Sequence, residues 1–205
     1  MSAPATIAYV FWHWVHDPAP ARDYESRLEA FQESLLANAP PGYRRAAVFR
    51  HAPAPWLPDD ACRYADWYLV DGGAALDALN EAAVSPACRA AHDAAARRAA
   101  GGTAGLYTLR GGVLRAGEIR IATWFSKPAG MGFEALDACV AECAQARPYE
   151  LWRRRMVLGP TPEMCVLAAA PVELPEACAA IHVALEPLWP KTRAEDGGEG
   201  GEATR

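Results

Sequence analysis

The residues best suited to chemistry fall in two short stretches near the start of the chain. His13 and His16 lie in Trp12-His13-Trp14-Val15-His16, and Asp66 and Tyr68 lie in Ala65-Asp66-Trp67-Tyr68-Leu69-Val70. An imidazole titrates near neutral pH and suits a general base or a polar anchor among aromatic rings. Both stretches read as β-strands, so alternate side chains point to opposite faces. His13 then shares a face with Tyr9 and Phe11, while Trp12, Trp14 and His16 share the other. His13 and His16 therefore cannot form a same-face ligand pair unless the strand has ended. Asp66 and Tyr68 share one face of their strand. The plainer readings are a hydrogen-bonded His13 in a packed interior and an Asp66 that serves a strand end.

Two further groups carry candidate chemistry. Cys139 and Cys143 are four apart on one predicted helix, and Cys178 and His182 are four apart on another. A three-Cys, one-His set of this kind suits tetrahedral zinc. Structural zinc sites usually draw on Cys-x-x-Cys turns, however, and Phe133, Leu136, Val140 and Cys143 also make an ordinary apolar face in which cysteine acts as a small hydrophobe. Arg89, His92 and Asp93 sit on a helix after Pro86, where Arg89 and Asp93 read as a routine surface pair. The sequence has no glycine-rich dinucleotide fingerprint, phosphate loop, nucleophile elbow or His-Glu-x-x-His motif. No nucleotide, flavin or haem is required, and the expected cofactor set is none.

The elements that must position these residues follow from pattern and punctuation. Ile7 to Val15 is β-branched and aromatic, as a central strand should be. Asp17, Pro18 and Pro20 stop it. Ala21 to Asn38 has helical spacing, with Tyr24, Leu28, Phe31, Leu35 and Leu36 on one face. Tyr43 to His51 reads as an edge strand because of its charges, and the Pro-rich stretch from Ala52 to Asp60 as a loop. A strand over 65–70, helices over 74–84 and from Ser85 to about Ala100, and a strand over 106–110 complete the order strand, helix, strand, strand, helix, strand. This is the ferredoxin-like order, in which the first and third strands are neighbours and Asp66 could orient a histidine.

After Gly111 and Gly112 the pattern restarts. Strands are expected over 119–126, 149–158 and 164–170, and helices over 133–146 and 174–185. Trp124 and Pro128 fall where Trp14 and Pro18 fell, and both Arg-rich strands open with Tyr. A period near 110 residues is a duplicated domain rather than a solenoid. The expected organisation is a ferredoxin-like unit over 1–112, a second over 113–190 without an evident last strand, and a disordered tail over 191–205. The fold class is α+β: two tandem βαββαβ units whose antiparallel sheets face each other as an intrachain α+β barrel.

Bulk properties narrow the partners. The chain has 205 residues, 52% hydrophobic and 22% charged, with a formal net charge of -5. That balance lacks the basic footprint nucleic acid requires. No signal-type N-terminus or membrane-length apolar run is present, so a cytoplasmic protein with six free cysteines is expected. It should be a monomer with an internal pseudo-dimer, or a homodimer, with neither nucleic acid nor membrane as partner.

The stretch from Ala65 to Gly112 resembles the dimeric α+β barrel superfamily, and within it the EthD-like branch. The resemblance rests on "ADWYLVD", "ALDALNEAAV", the Ser85-Pro86 break, "CRAAHDAAARRA" and "GLYTLRGG". It implies that two such units close a barrel and that each unit can hold a pocket between sheet and helices. It also draws attention to His92, the histidine of the resemblant helix. The pocket is expected in the first unit. Catalytic candidates there are His13, His16, Asp66 and Tyr68, with Trp12, Trp14, Tyr107 and His92 contacting an aromatic or polyketide-like ligand. The other reading is a non-catalytic structural or interaction protein whose aromatics fill the barrel.

Overall fold

The computed structural model describes residues 5–16, 21–155 and 159–190. The first half contains β1 (Thr6–Val15), α1 (Ala21–Ala37), β2 (Tyr43–His51), β3 (Cys62–Asp71), α2 (Gly72–Ala83), α3 (Arg89–Ala96) and β4 (Gly101–Gly112). The second contains β5 (Ile121–Phe125), α4 (Phe133–Ala144), β6 (Tyr149–Arg154), β7 (Met164–Ala168) and β8 (Ile181–Trp189). The expected tail, the proline stop at 17–20 and the distal part of the strand expected over 149–158 lie outside the described residues.

The eight strands form one closed antiparallel barrel in the order β1-β3-β2-β8-β5-β7-β6-β4. This corrects the expectation of two sheets packed face to face. The halves meet edge to edge, β2 on β8 and β4 on β6. Closure removes sheet edges that would otherwise present unpaired backbone groups. It also corrects the reading of β2 as an edge strand, because its outer side is taken by β8 from Val48 to His51. Arg45 strengthens the joint at the other end: its guanidinium donates to Glu150 on β6 at 2.5 Å and to the Leu114 carbonyl at 2.9 Å.

The second half keeps its last strand and loses its second helix, the reverse of what the pattern suggested. Residues expected to be helical over 174–185 form one 3₁₀ turn, Glu176–Cys178, and then β8. Val183 and Leu185 are buried while His182, Ala184 and Glu186 are exposed, the two-residue period of a half-buried strand. β4, expected over 106–110, begins earlier, at Gly101, directly after the expected helix end near Ala100.

Strand alternation divides the core. Trp12, Phe49, Trp67, Tyr107, Trp124 and Trp152 point into the barrel and are essentially fully buried. Their rings fill the interior edge to face, with Trp12 and Trp124 at 5.6 Å and Trp67 and Trp152 at 5.8 Å. Trp124 lies opposite Cys165 as Trp12 lies opposite Ala65. Trp12, rather than the expected Trp14, is thus its counterpart, a slip of two residues that leaves the face unchanged. Outside the barrel, α1, α2 and α3 cover the first half, and α4 covers the second.

Candidate functional site

The site lies on the outer face of the first half's sheet, beneath its helices. Odd-numbered β1 residues and even-numbered β3 residues share this face. Phe11 stands directly across from Asp66, His13 from Tyr64 and Tyr9 from Tyr68. α1 covers them because Tyr24, Leu28, Gln32 and Leu35 recur at helical spacing and are all buried. A cavity of about 320 Å³ remains between this floor and the three helices. Tyr9, Phe11, His13, Tyr24, Asp66 and Tyr68 line its sheet side and α1 edge, and Leu79, His92, Ala95 and Ala99 its far wall.

At its floor runs a continuous hydrogen-bond chain. His13 Nε2 meets Asp66 Oδ1 at 3.0 Å, and Tyr24 Oη meets His13 Nδ1 at 2.6 Å. Tyr68 donates its hydroxyl to Asp66 Oδ2 at 2.8 Å and accepts from Gln32 Nε2 at 2.7 Å. An ionised carboxylate only accepts. His13 therefore carries its proton on Nε2 toward Asp66 and accepts the Tyr24 hydroxyl proton at Nδ1, a tautomer assigned from these partners. His13 and Asp66 are 1% and 3% exposed, so the pair is shielded from water. Burial, reinforced by the Asp66 charge, pushes the Tyr68 and Tyr24 phenols far above their ordinary values, and Tyr9 upward in the same direction.

Aromatic rings continue the floor. Tyr9 stacks on Phe11 with planes 9° apart, Phe11 on His13 at 27°, and His13 on Tyr64 at 11°. Tyr64 is itself fixed by donating to Glu25 at 3.2 Å, and Glu25 receives the guanidinium of Arg50. Among the described residues, no Lys or Arg lines the cavity. Its field is that of a buried carboxylate among phenols and apolar walls.

The structure thus brings together His13, Asp66, Tyr68 and His92 of the expected set. His92 sits on the far wall, edge-on to Phe31, with Nδ1 3.1 Å from the neighbouring Asp93. The remaining expected residues fall elsewhere. His16 is exposed at the end of β1, 3.9 Å from Asp60. Trp12 and Tyr107 face the barrel interior with Trp14 beside them, on the opposite side of the sheet from the cavity. The strand period that put His13 with Tyr9 and Phe11 already excluded Trp12 and Trp14 as walls. Tyr24 and Gln32 were missed as site residues. The signal for Gln32 was an amide at a position of the α1 stripe where the spacing calls for an apolar side chain.

The zinc set does not assemble. Among the described residues no group of three or more His, Cys, Asp or Glu could hold a metal ion. His182 turns away to Thr123 Oγ1 at 3.0 Å and lies 3.7 Å from Glu173. Cys139, Cys143 and Cys178 are free thiols, and burial raises the pKa of Cys143 and Cys178. The surface pair expected between Arg89 and Asp93 is not formed either; Arg89 donates to the Val84 carbonyl.

Solved structures share this architecture over nearly the whole chain. A candidate monooxygenase from Fusobacterium nucleatum superposes with a TM-score of 0.60 at 10% identity, covering 92% of this chain and 94% of that one. The shared fold is α+β with a closed antiparallel barrel, consistent with a dimeric α+β barrel. A candidate monooxygenase from Lactobacillus acidophilus gives 0.58 at 7% identity over 90% of this chain and 94% of that one. An anthrone oxidase-like protein gives 0.54 at 10% identity over 89% and 91%. No protein-family model and no curated protein matches the sequence. At these identities the α+β barrel likeness fixes the fold alone. No helix among the described residues is long and apolar enough to cross a membrane.

Proposed function

We propose that the first-half cavity binds a flat, uncharged aromatic or polyketide-like molecule and removes a proton from it. The observation that carries this reading is the Tyr24–His13–Asp66 chain at the floor of a cavity lined, among the described residues, by no Lys or Arg. A molecule stacked on Tyr9 and Phe11 would present an acidic C–H or O–H to Tyr24 Oη or to His13. In the route through Tyr24, the ligand proton passes to Oη while the tyrosine's own proton passes to His13 Nδ1. Asp66 then holds the imidazolium so formed, the role a third group plays in orienting a catalytic base. Asp66, with no Lys or Arg among the described lining residues, disfavours a carboxylate or phosphate ligand. Tyr68 and Gln32 position Asp66 rather than touching the ligand.

The names of the fold neighbours support the ligand class. Two are candidate monooxygenases and one is anthrone oxidase-like. An anthrone is a flat tricyclic ketone whose central methylene is acidic. We assign the chain to the EthD-like branch and read its two halves as a tandem duplication. The matched strand orders β4-β1-β3-β2 and β8-β5-β7-β6 support the second point. A barrel closed within one chain favours a monomer over a homodimer, and we take its location to be cytoplasmic.

The test uses anthrone. The protein should gain thermal stability in its presence and should speed deuterium exchange at its methylene, followed by NMR. Replacement of His13 by Ala should abolish the exchange. Binding without exchange would instead favour a non-catalytic binder. If no flat polycycle shifts the melting temperature, the cavity is not a site of this kind.

A further inference from the structure

A second polar cluster lies inside the barrel, on the opposite side of the sheet from the cavity. Seven buried side-chain nitrogen or oxygen atoms among the described residues have no hydrogen-bond partner, and five of them belong to this cluster. They are the indole nitrogens of Trp12, Trp56 and Trp124, Nε of Arg63 and Nε2 of His51. Trp56, carried on the loop over 52–60, is the hub. Its ring lies 6.5 Å from Trp12, 5.6 Å from Trp124 and 6.3 Å from His51. Arg63 on β3 stands directly across from His51 on β2, both on the inward face. Buried polar groups are ordinarily satisfied, because an orphan keeps its desolvation cost with nothing to offset it. Three orphan-bearing rings gathered around Trp56, with Arg63 facing one of them across the strands, point to a shared ligand.

The chemistry of the five selects its charge. Four are N–H donors. Arg63 is a cation with no carboxylate partner among the described residues; its Nη1 donates only to the Pro58 and Asp59 carbonyls. His51 Nδ1 lies 2.7 Å from the Ala52 carbonyl and must donate to it, so Nε2 is bare while the ring is neutral. Four donors and a positive charge exceed what the two lone pairs of one water can use. We propose that this end of the barrel binds a small monovalent anion of halide size, held by Arg63 and the three indole N–H groups. The anion would draw a proton onto His51 Nε2, making a fifth donor. Among the described residues Arg63 is the charged side chain that acts on His51; its other neighbours, Trp56 from the loop and Leu185 from β8, do not titrate.

Bromide is the probe. In crystals soaked with sodium bromide, an anomalous peak should lie within hydrogen-bonding reach of Arg63 Nε and at least two indole nitrogens. In solution, sodium bromide should raise the melting temperature above that in sodium gluconate of equal ionic strength. Its affinity should increase by at least about threefold from pH 7 to pH 5. Arg63→Gln should weaken binding by about tenfold or more. Trp56→Phe keeps the ring, removes one donor, and serves should the first variant fail to fold; it should cost about threefold. Ordered water with no anomalous signal, or equal melting temperatures in the two salts, would overturn the proposal.

Discussion

His13 on β1 and Phe125 on β5 occupy matching positions, as do Asp66 and Val166 on β3 and β7, and Tyr68 and Ala168. The register shows it: Phe11 faces Asp66 as Thr123 faces Val166, and Tyr9 faces Tyr68 as Ile121 faces Ala168. The same sheet face thus carries a charged, hydrogen-bonded set in one half and a mainly apolar one in the other, where Phe125, Leu136, Val140, Met164 and Val166 pack together and Thr123 turns its hydroxyl to His182. The covering differs in step. Three helices wall a cavity over the polar face, whereas α4 and a 3₁₀ turn lie over the apolar one. The lesson is that a buried carboxylate must come with its full complement of donors or be absent. Asp66 has His13, Tyr68 and Gln32 around it; Val166, opposite Thr123, carries no charge to be satisfied. Partial versions of either arrangement would be costly.

The largest test of this contrast is to move the charge. Val166→Asp should lower unfolding stability by about 3–5 kcal/mol in denaturant titrations, the cost of a buried charge without partners. A loss below about 1 kcal/mol would show that the second half can supply donors after all, and the contrast would fail.

A second comparison sets His51 against His13. His13 has both ring nitrogens bonded; His51 has one bonded and sits beside Arg63. Burial first, with Arg63 acting in the same direction, pushes His51 down from 6.5 to about 4. The unfolded chain therefore takes up a proton near pH 6.5 that the folded chain refuses until about pH 4. Stability is fully present above pH 6.5 and falls as pH drops toward 4, by about 3 kcal/mol. His51→Gln should flatten that slope. If the slope survives the substitution, another group causes it. Bromide should flatten it as well if the anion site exists, because a bound anion favours the imidazolium.

The sequence made the polar half of this contrast legible for a definite reason. Strand alternation is a two-residue code, so the grouping of His13 with Tyr9 and Phe11, and of Asp66 with Tyr68, could be read before any fold was known. The order of elements then placed β1 beside β3. What could not be read depended on long-range closure. Nothing local in Tyr43 to His51 says that its outer edge meets β8. β8 itself was misread because alanine-rich segments satisfy helical and strand patterns alike. Tyr24 was taken for a core residue since its ring is apolar, and only the position of His13 reveals what its hydroxyl does.

A smaller effect is expected where β4 closes on the site. A methyl group at Gly102 would lie 2.5 Å from the Phe11 ring and 3.1 Å from the Trp12 carbonyl. Gly102→Ala should displace Phe11 from the aromatic floor and cost about 1–3 kcal/mol by overpacking. If the cavity stacks flat ligands, affinity for anthrone should fall with it. An unchanged affinity would mean that the ligand does not rest on Phe11.

The smallest stability change should accompany the most specific functional one. Tyr24 and Tyr64 both border His13, but they touch it differently. Tyr24 donates its hydroxyl to Nδ1 at 2.6 Å, whereas Tyr64 stacks on the ring and sends its hydroxyl to Glu25. Removing either hydroxyl deletes one buried hydrogen bond and should cost about 0.5–1.5 kcal/mol, so the two Phe variants should melt alike. Their chemistry should diverge. Tyr24→Phe removes the group through which a proton reaches His13, and deuterium exchange into bound anthrone should fall by about 10²-fold or more, the usual scale of a lost acid–base group. Tyr64→Phe should leave exchange within about twofold of the wild type, because the stacked ring that holds His13 remains. Equal exchange rates in the two variants would remove Tyr24 from the route and leave His13 to meet the ligand directly. Loss of exchange in Tyr64→Phe alone would mean that the Glu25 side, not Asp66, sets the position of the imidazole.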